Sequence, residues 1–277
     1  MPTEKLFECS DGTHIAGDYF AADTPHAMVI IAPAMGVPRG FYRRFAIFLA
    51  TCGIGAITFD YRDAPGTPMA DWGRLDIEAV ISSCDDDIPL FLVGHSCGGQ
   101  LAGLAPHAGS LDGLIFIAAQ SGYWGHWGER GRAGMWLLAH ALIPLLARGR
   151  YFPARRLRMF PIDVPASVVA QWGRWIRSPR YLFDPANNLD TRRYRELALP
   201  ALAYGFADDG YAPPAAIDAL LDEYPQASIT ARRHIGRDDA GGQGIGHMGF
   251  FRDRMQDFLW QPTVDWILDT VQQRDAG

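Results

Sequence analysis

The chain has 277 residues, of which 48% are hydrophobic and 20% charged. That is enough apolar surface for one large α/β domain or a domain with an insertion, and it excludes disorder outside a short tail at 273–277. The net charge of −6, with no nucleic-acid motif anywhere, excludes a nucleic-acid partner.

Strand and helix signals alternate along most of the length. Lys5–Cys9 and His14–Tyr19 read as strands flanking a turn at Asp11-Gly12. Ala27–Ala34 is a nearly unbroken apolar run, the pattern of a strand covered on both faces. Phe41–Cys52 has helical spacing and stops at Gly53. Gly55–Tyr61 is the next strand and Asp76–Ser83 a helix. Leu90–Gly94 is a strand running straight into a helix at Cys97–Leu104, and Leu111–Ala119 is a sixth strand. The alternation then lapses. Residues 121–195 contain no βα unit, only helical pieces such as Met135–Ala147 and Val168–Ile176. Regularity returns with Leu199–Phe206 (strand), Pro213–Tyr224 (helix), Ser228–His234 (strand) and Phe250–Gln273 (helix, with a break expected at Pro262). This order predicts a mainly parallel central sheet flanked by helices. The core is then 1–120 and 196–277, and 121–195 is a helical cap inserted after the sixth strand.

Charge follows the same division. Residues 121–195 carry thirteen Arg against four acids, a surplus of +9, while the rest of the chain sums to −15. The longest apolar run, Gly134–Ala147, is interrupted by His140 and Pro144 and is shorter than the roughly 20 residues that span a bilayer, so no transmembrane segment is expected. The four cysteines, Cys9, Cys52, Cys84 and Cys97, form neither a CxxC pair nor a metal-ligand spacing. With no apolar signal core in residues 1–10, free thiols, no metal and a cytoplasmic location are expected.

Gly94-His95-Ser96-Cys97-Gly98 fits G-x-S-x-G. The pattern gains force from its setting between the apolar strand LFLV and the small-residue helix GGQLAGLA. A strand-to-helix turn that tight needs tiny flanking residues, and it lifts the Ser96 hydroxyl clear of the sheet. The amide of Cys97 then sits at a helix N-terminus, where developing negative charge is stabilised. The Cys97 thiol, one residue beyond the apex, is expected to pack rather than react.

A serine nucleophile of this kind needs a histidine and an acid, in the chain order Ser, Asp or Glu, His. His247 follows the last strand after a Gly-rich loop and precedes the final helix; His234, within the strand, is the runner-up. The acid is expected after Leu199–Phe206. Asp208 stands third from Gly205, and Asp209 opens the run Asp209-Gly210-Tyr211-Ala212-Pro213, similar to D-x-x-V-P. Asp209 is favoured as the acid, with Asp208 the alternate; the aspartate that does not serve is expected to be a turn or helix-capping residue. Gln120 and Ser121 end the preceding strand, so no acid stands there. The second oxyanion donor is expected in Ala34-Met35-Gly36-Val37-Pro38-Arg39-Gly40, from the Met35 or the Ala34 amide.

Taken together, Asp60-Tyr61-Arg62 after a strand, GHSCGGQ at the elbow, the Asp pair and the late His resemble the α/β-hydrolase superfamily over essentially the whole chain. The stretches Ser121-Gly122-Tyr123-Trp124 and Gly246-His247-Met248-Gly249-Phe250-Phe251-Arg252 are similar to those of a little-characterised group of bacterial hydrolases. Asp63-Ala64-Pro65-Gly66 departs from the Gly-x-Gly loop of many relatives. The resemblance implies cleavage of a small-molecule carboxylic ester or thioester through an acyl-enzyme on Ser96, with no metal or organic cofactor. An acyltransferase on the same residues, or a slow or inactive ligand-binding relative, are the alternatives. In the cap, Tyr123, Trp124, Trp127 and Trp136 are expected to line an apolar acyl pocket, with Trp172 and Trp175 further candidates. The Arg surplus reads first as a solvated helical face; the functional alternatives are an anionic substrate or a membrane surface beside the apolar helix.

Overall fold

The computed structural model describes residues 2–276. An eight-stranded sheet runs through the molecule: β1 (Thr3–Glu8), β2 (His14–Phe20), β3 (Ala27–Ala32), β4 (Ile54–Phe59), β5 (Leu90–His95), β6 (Gly113–Ile117), and, after the two-stranded β7 (Tyr151–Phe152) and β8 (Val164–Pro165), β9 (Pro200–Phe206) and β10 (Ser228–Ile235). The spatial order is β1-β2-β4-β3-β5-β6-β9-β10. β2 pairs antiparallel with both β1 and β4, and every other neighbouring pair in the large sheet is parallel. The four strands β3, β4, β5 and β6 are buried along their whole length, which is why they read as unbroken apolar runs rather than alternating ones.

All eight predicted strands are present. The helices differ more. The helix predicted from Asp76 begins at Met69, with a widened turn at Trp72–Ile77. No break occurs at Pro262: a widened turn at Gln256–Trp260 precedes it, and Pro262 enters the first turn of Gln261–Asp275, where its missing N–H costs nothing. That helix also carries the chain through most of the tail expected to be unstructured.

Between β6 and β9 the chain leaves the sheet. A helix runs over 129–146, accommodating Pro144 through a widened turn at Leu138–Leu142. The antiparallel pair β7–β8 follows, and then the helix Ala166–Trp175. The sequence reading missed β7 and β8, because two residues per strand carry no periodicity.

The parallel strands direct their C-terminal ends to one edge. The turns after β3, β5, β6 and β9, and the loop after β10, bring Met35, Ser96, Gln120, Tyr211 and His247 to the wall of one cavity. This is where ligands collect in open α/β sheets.

Candidate active site

Ser96 joins β5 to the helix Cys97–Leu101 with φ +51° and ψ −115°. A non-glycine residue in that region costs about 1–3 kcal/mol and persists only where its surroundings enforce it. The enforcement is visible. Ser96 N–H donates to the Ile117 carbonyl at 2.9 Å, and the Ser96 carbonyl accepts from the Gly99 and Gln100 amides. A Cβ on Gly94 would lie 2.3 Å from the Gly99 Cα, and one on Gly98 would lie 2.2 Å from the Ala32 carbonyl oxygen. Both glycines of the motif are therefore steric requirements of the turn.

His247 Nδ1 donates to Asp209 Oδ2 at 2.7 Å. The Asp209 side chain is fully buried, and its other oxygen accepts the Tyr211 amide at 2.7 Å. This leaves His247 Nε2 without a protein hydrogen-bond partner among the described residues, on a ring that lines the same cavity as Ser96. The Ser96 hydroxyl is likewise without one. Asp208 does something else. Its carboxylate accepts the amides of Ile245 and Gly246 at 2.9 and 2.7 Å, fastening the loop that delivers His247. The neighbouring aspartates thus divide the work, one holding the imidazole and the other holding the imidazole's backbone; the turn or capping role expected for Asp208 is replaced by this long-range contact. His234 lies exposed on β10, away from the site.

A second histidine supports the first. His95 is fully buried, and its Nε2 donates to the His247 carbonyl at 2.9 Å, which fixes its tautomer. Its Nδ1 then accepts from the Tyr42 hydroxyl at 2.9 Å, and the Tyr42 oxygen accepts the Ala34 amide at 2.8 Å. Burial, with His247 nearby, pushes the pKa of His95 down to about 3, so it stays neutral. Phe250 and Phe251 complete the anchorage, packing edge-on against Phe45 and Tyr42. Nothing in the sequence signalled the relay from Ala34 to His247, since its members lie 8, 53 and 152 residues apart.

The relay bears on the oxyanion donors. The Ala34 amide is occupied by Tyr42, whereas neither the Met35 nor the Cys97 amide donates to a backbone carbonyl among the described residues. Burial raises the pKa of the Cys97 thiol strongly, and the Met35 and Cys97 N–H groups pull the other way. The thiol itself donates to the Pro33 carbonyl at 3.5 Å, and burial keeps it protonated and unreactive.

The cavity has a volume of about 180 Å³. Its wall is apolar: Met35, Met135, Met159 and Met248 contribute flexible thioethers, with Val37, Leu138, Phe160, Trp127 and Trp172 beside them. Gln100 and Gln120 form a polar strip, linked to each other at 3.2 Å and to Tyr181 and the Tyr211 carbonyl. Among the described residues no Asp, Glu, Lys or Arg lines the cavity. Of the four aromatics expected there, only Trp127 is present, its indole N–H donating to the Gly210 carbonyl beside Asp209. Trp124 and Trp136 line a shallow depression elsewhere, and Tyr123 packs across Gly125 and His126. Trp136 fails because helix register turns it outward while Met135 and Leu138 turn in. Trp172 lines the cavity as anticipated, whereas Trp175 is buried against Tyr181. The departing loop at Asp63 borders a second, more polar depression shared with Asp60, Arg62 and Asp163. Among the described residues no cluster of side chains is suited to holding a metal, and no helix is long and apolar enough to cross a membrane.

The sequence matches the family described as "Alpha/beta hydrolase family" over residues 12–259. No curated protein matches it. Among solved structures, a soluble variant of the monoglyceride lipase of Saccharomyces cerevisiae is similar, with a TM-score of 0.70 at 15% identity over 97% of this chain and 96% of that one. An esterase from Exiguobacterium antarcticum gives 0.61 at 17% identity over 95% and 98%. A carboxyl esterase from Bacillus coagulans gives 0.65 at 12% identity over 98% and 99%. Likenesses at such identities speak to the fold, and the family match covers most of the chain: this protein belongs to the alpha/beta hydrolase family.

Proposed function

We propose that the protein is a serine hydrolase that cleaves carboxylic esters or thioesters with an uncharged, apolar acyl group. The observation that carries this reading is the 2.7 Å bond from His247 Nδ1 to buried Asp209, on a ring that shares a cavity with Ser96 at its strained turn. Ser96 Oγ attacks the acyl carbonyl while His247 Nε2 takes its proton. Asp209 keeps the imidazole in the right tautomer and stabilises the imidazolium. The carbonyl oxygen gathers negative charge between the Met35 and Cys97 amides. His247 then protonates the leaving alcohol or thiol, and the acyl group remains on Ser96. Water, deprotonated by His247, adds to the acyl-enzyme; His247 returns that proton to Ser96 as the carboxylic acid leaves, and the acid ionises in solvent.

Residues 121–195 act in this reading as a cap over the serine, contributing Trp127, Met135, Leu138, Met159, Phe160 and Trp172 to the acyl pocket. No described arginine side chain of that segment lines the cavity, which favours an uncharged acyl group over an anionic one. The related lipase and esterases, which act on esters by their names, agree with the reading. All four thiols are unpaired, which suits a reducing compartment such as the cytoplasm.

A panel of neutral esters of increasing acyl length, set against carboxylated esters of matched length, tests the proposal. The expected result is kcat/KM rising with chain length for neutral esters, low values for the charged ones, and loss of both in Ser96→Ala. Turnover that survives Ser96→Ala would contradict it.

A further inference from the structure

The helix over 129–146 leaves one face without a partner. Its inward positions are accounted for: Ala139 and Ile143 are buried, and Met135 and Leu138 line the cavity. Its outward positions between 136 and 145 are Trp136, Leu137, His140, Ala141, Leu142, Pro144 and Leu145, all of them exposed. Leu145 is 59% exposed, Leu137 48% and Trp136 47%. No Asp, Glu, Lys or Arg occurs along these turns. A surface helix ordinarily presents polar residues to water, and a contiguous apolar face of this kind marks an interaction site.

The rim of that face is positive. Arg132 precedes it, Arg148 and Arg150 follow it, and Arg155, Arg156 and Arg158 stand exposed in the loop that sends Met159 and Phe160 into the cavity wall. Leu157 and Ile162 of the same loop are exposed as well. None of these six arginines forms an ion pair among the described residues. Asp163 accepts the Arg155 amide and Glu129 stands beside Arg132, which still leaves the arginines in excess; Trp and Leu beside surplus Arg is the chemistry of a helix lying in the interface of an anionic bilayer. A second copy of the chain fits poorly, because a two-fold contact would set the same arginines against themselves.

We infer that this face, the outer side of the helix with its arginine rim, docks on an anionic lipid surface. The inner side of the same helix walls the cavity that holds Ser96. A lipophilic ester would therefore pass from the bilayer edge to the cavity with little exposure to water. That last step rests on the hydrolase reading above; the docking does not.

The test uses the full chain with vesicles of phosphatidylcholine alone and with roughly a third phosphatidylglycerol, read by flotation and by quenching of tryptophan fluorescence with brominated lipid. Binding is expected to favour the anionic vesicles by roughly tenfold or more and to weaken with added salt. Leu142→Gln with Leu145→Gln should lower partitioning by roughly tenfold or more, and Arg148→Gln with Arg150→Gln by about fivefold for each charge. None of these residues lines the cavity, so turnover of a short water-soluble ester and the melting temperature serve as folding controls and should hold. Ser96→Ala should bind vesicles like the wild type, which separates failure of the docking from failure of the hydrolase reading. Equal binding to both vesicle types, or variants that bind as the wild type does, would overturn the inference. So would a wild-type dimer in sedimentation that Leu142→Gln and Leu145→Gln dissociate.

Discussion

Around Ser96 the backbone sets nearly every position. The turn is closed by main-chain hydrogen bonds and by two glycines with no room for a Cβ, and the separate loop that carries His247 is held by an aspartate that grips two of its amides. Between β6 and β9 side chains decide instead. There the direction of each aromatic depends on helix register and on distant packing, so adjacent residues, Met135 and Trp136, face a cavity and open water. Tolerance of substitution should therefore differ between the two regions. The first region ties chemistry to geometry that few sequences satisfy, whereas the second can alter what enters while the chemistry stays fixed.

Substitutions in the two regions should separate them. The largest effect is expected at Ser96→Ala, with kcat falling about 10⁵- to 10⁶-fold in steady-state assays, His247→Ala close behind, and the double variant no worse than the single ones. Asp209→Asn should follow at about 10⁴-fold, because the tautomer of His247 is lost. Asp208→Asn should cost about tenfold or less, since its target is the loop and not the ring; faster hydrogen exchange at the Ile245 and Gly246 amides is its signature. Equal losses at the two aspartates would erase the division between them.

A stability effect comes next. Burial holds His95 neutral in the folded chain, where it titrates only near pH 3, against 6.5 for an ordinary histidine. Between those values the unfolded state binds more protons, so the contribution is complete above pH 6.5 and drains away as pH falls toward 3. At pH 5 the loss is about 2 kcal/mol, measurable as a lower urea midpoint than at pH 7. His95→Gln should flatten that difference whatever its own stability. The smallest effect belongs to the second region. Trp127→Phe, which loses the bond to the Gly210 carbonyl, should lower kcat/KM for long acyl esters about tenfold, and Trp124→Phe should leave it unchanged.

Legibility in the sequence followed the same boundary. Buried parallel strands and the elbow are written locally, in apolar runs and small residues, so every strand of the large sheet was readable, and the spacing from Pro213 singled out Asp209, the aspartate that meets His247. That the Ala34 amide is already taken was not readable, because the Tyr42 hydroxyl that accepts it comes from a different segment. Trp124 and Trp136 were misread for a related reason. An aromatic in a helical segment announces burial somewhere, but its direction is set by what the helix packs against. Pro262, expected to break a helix, entered a first turn instead, since the widened turn before it lies in backbone geometry and not in residue type.

The central claim is that Ser96 is an activated nucleophile served by His247 and Asp209. Labelling with a fluorophosphonate probe, the adduct located by mass spectrometry and its rate followed across variants, tests this most directly. The account predicts a single adduct on Ser96, none in Ser96→Ala, labelling slowed by orders of magnitude in Asp209→Asn, and near-normal labelling in Asp208→Asn. An unlabelled wild-type protein, an adduct on another residue such as Cys97, or labelling of Asp209→Asn at the wild-type rate would contradict it.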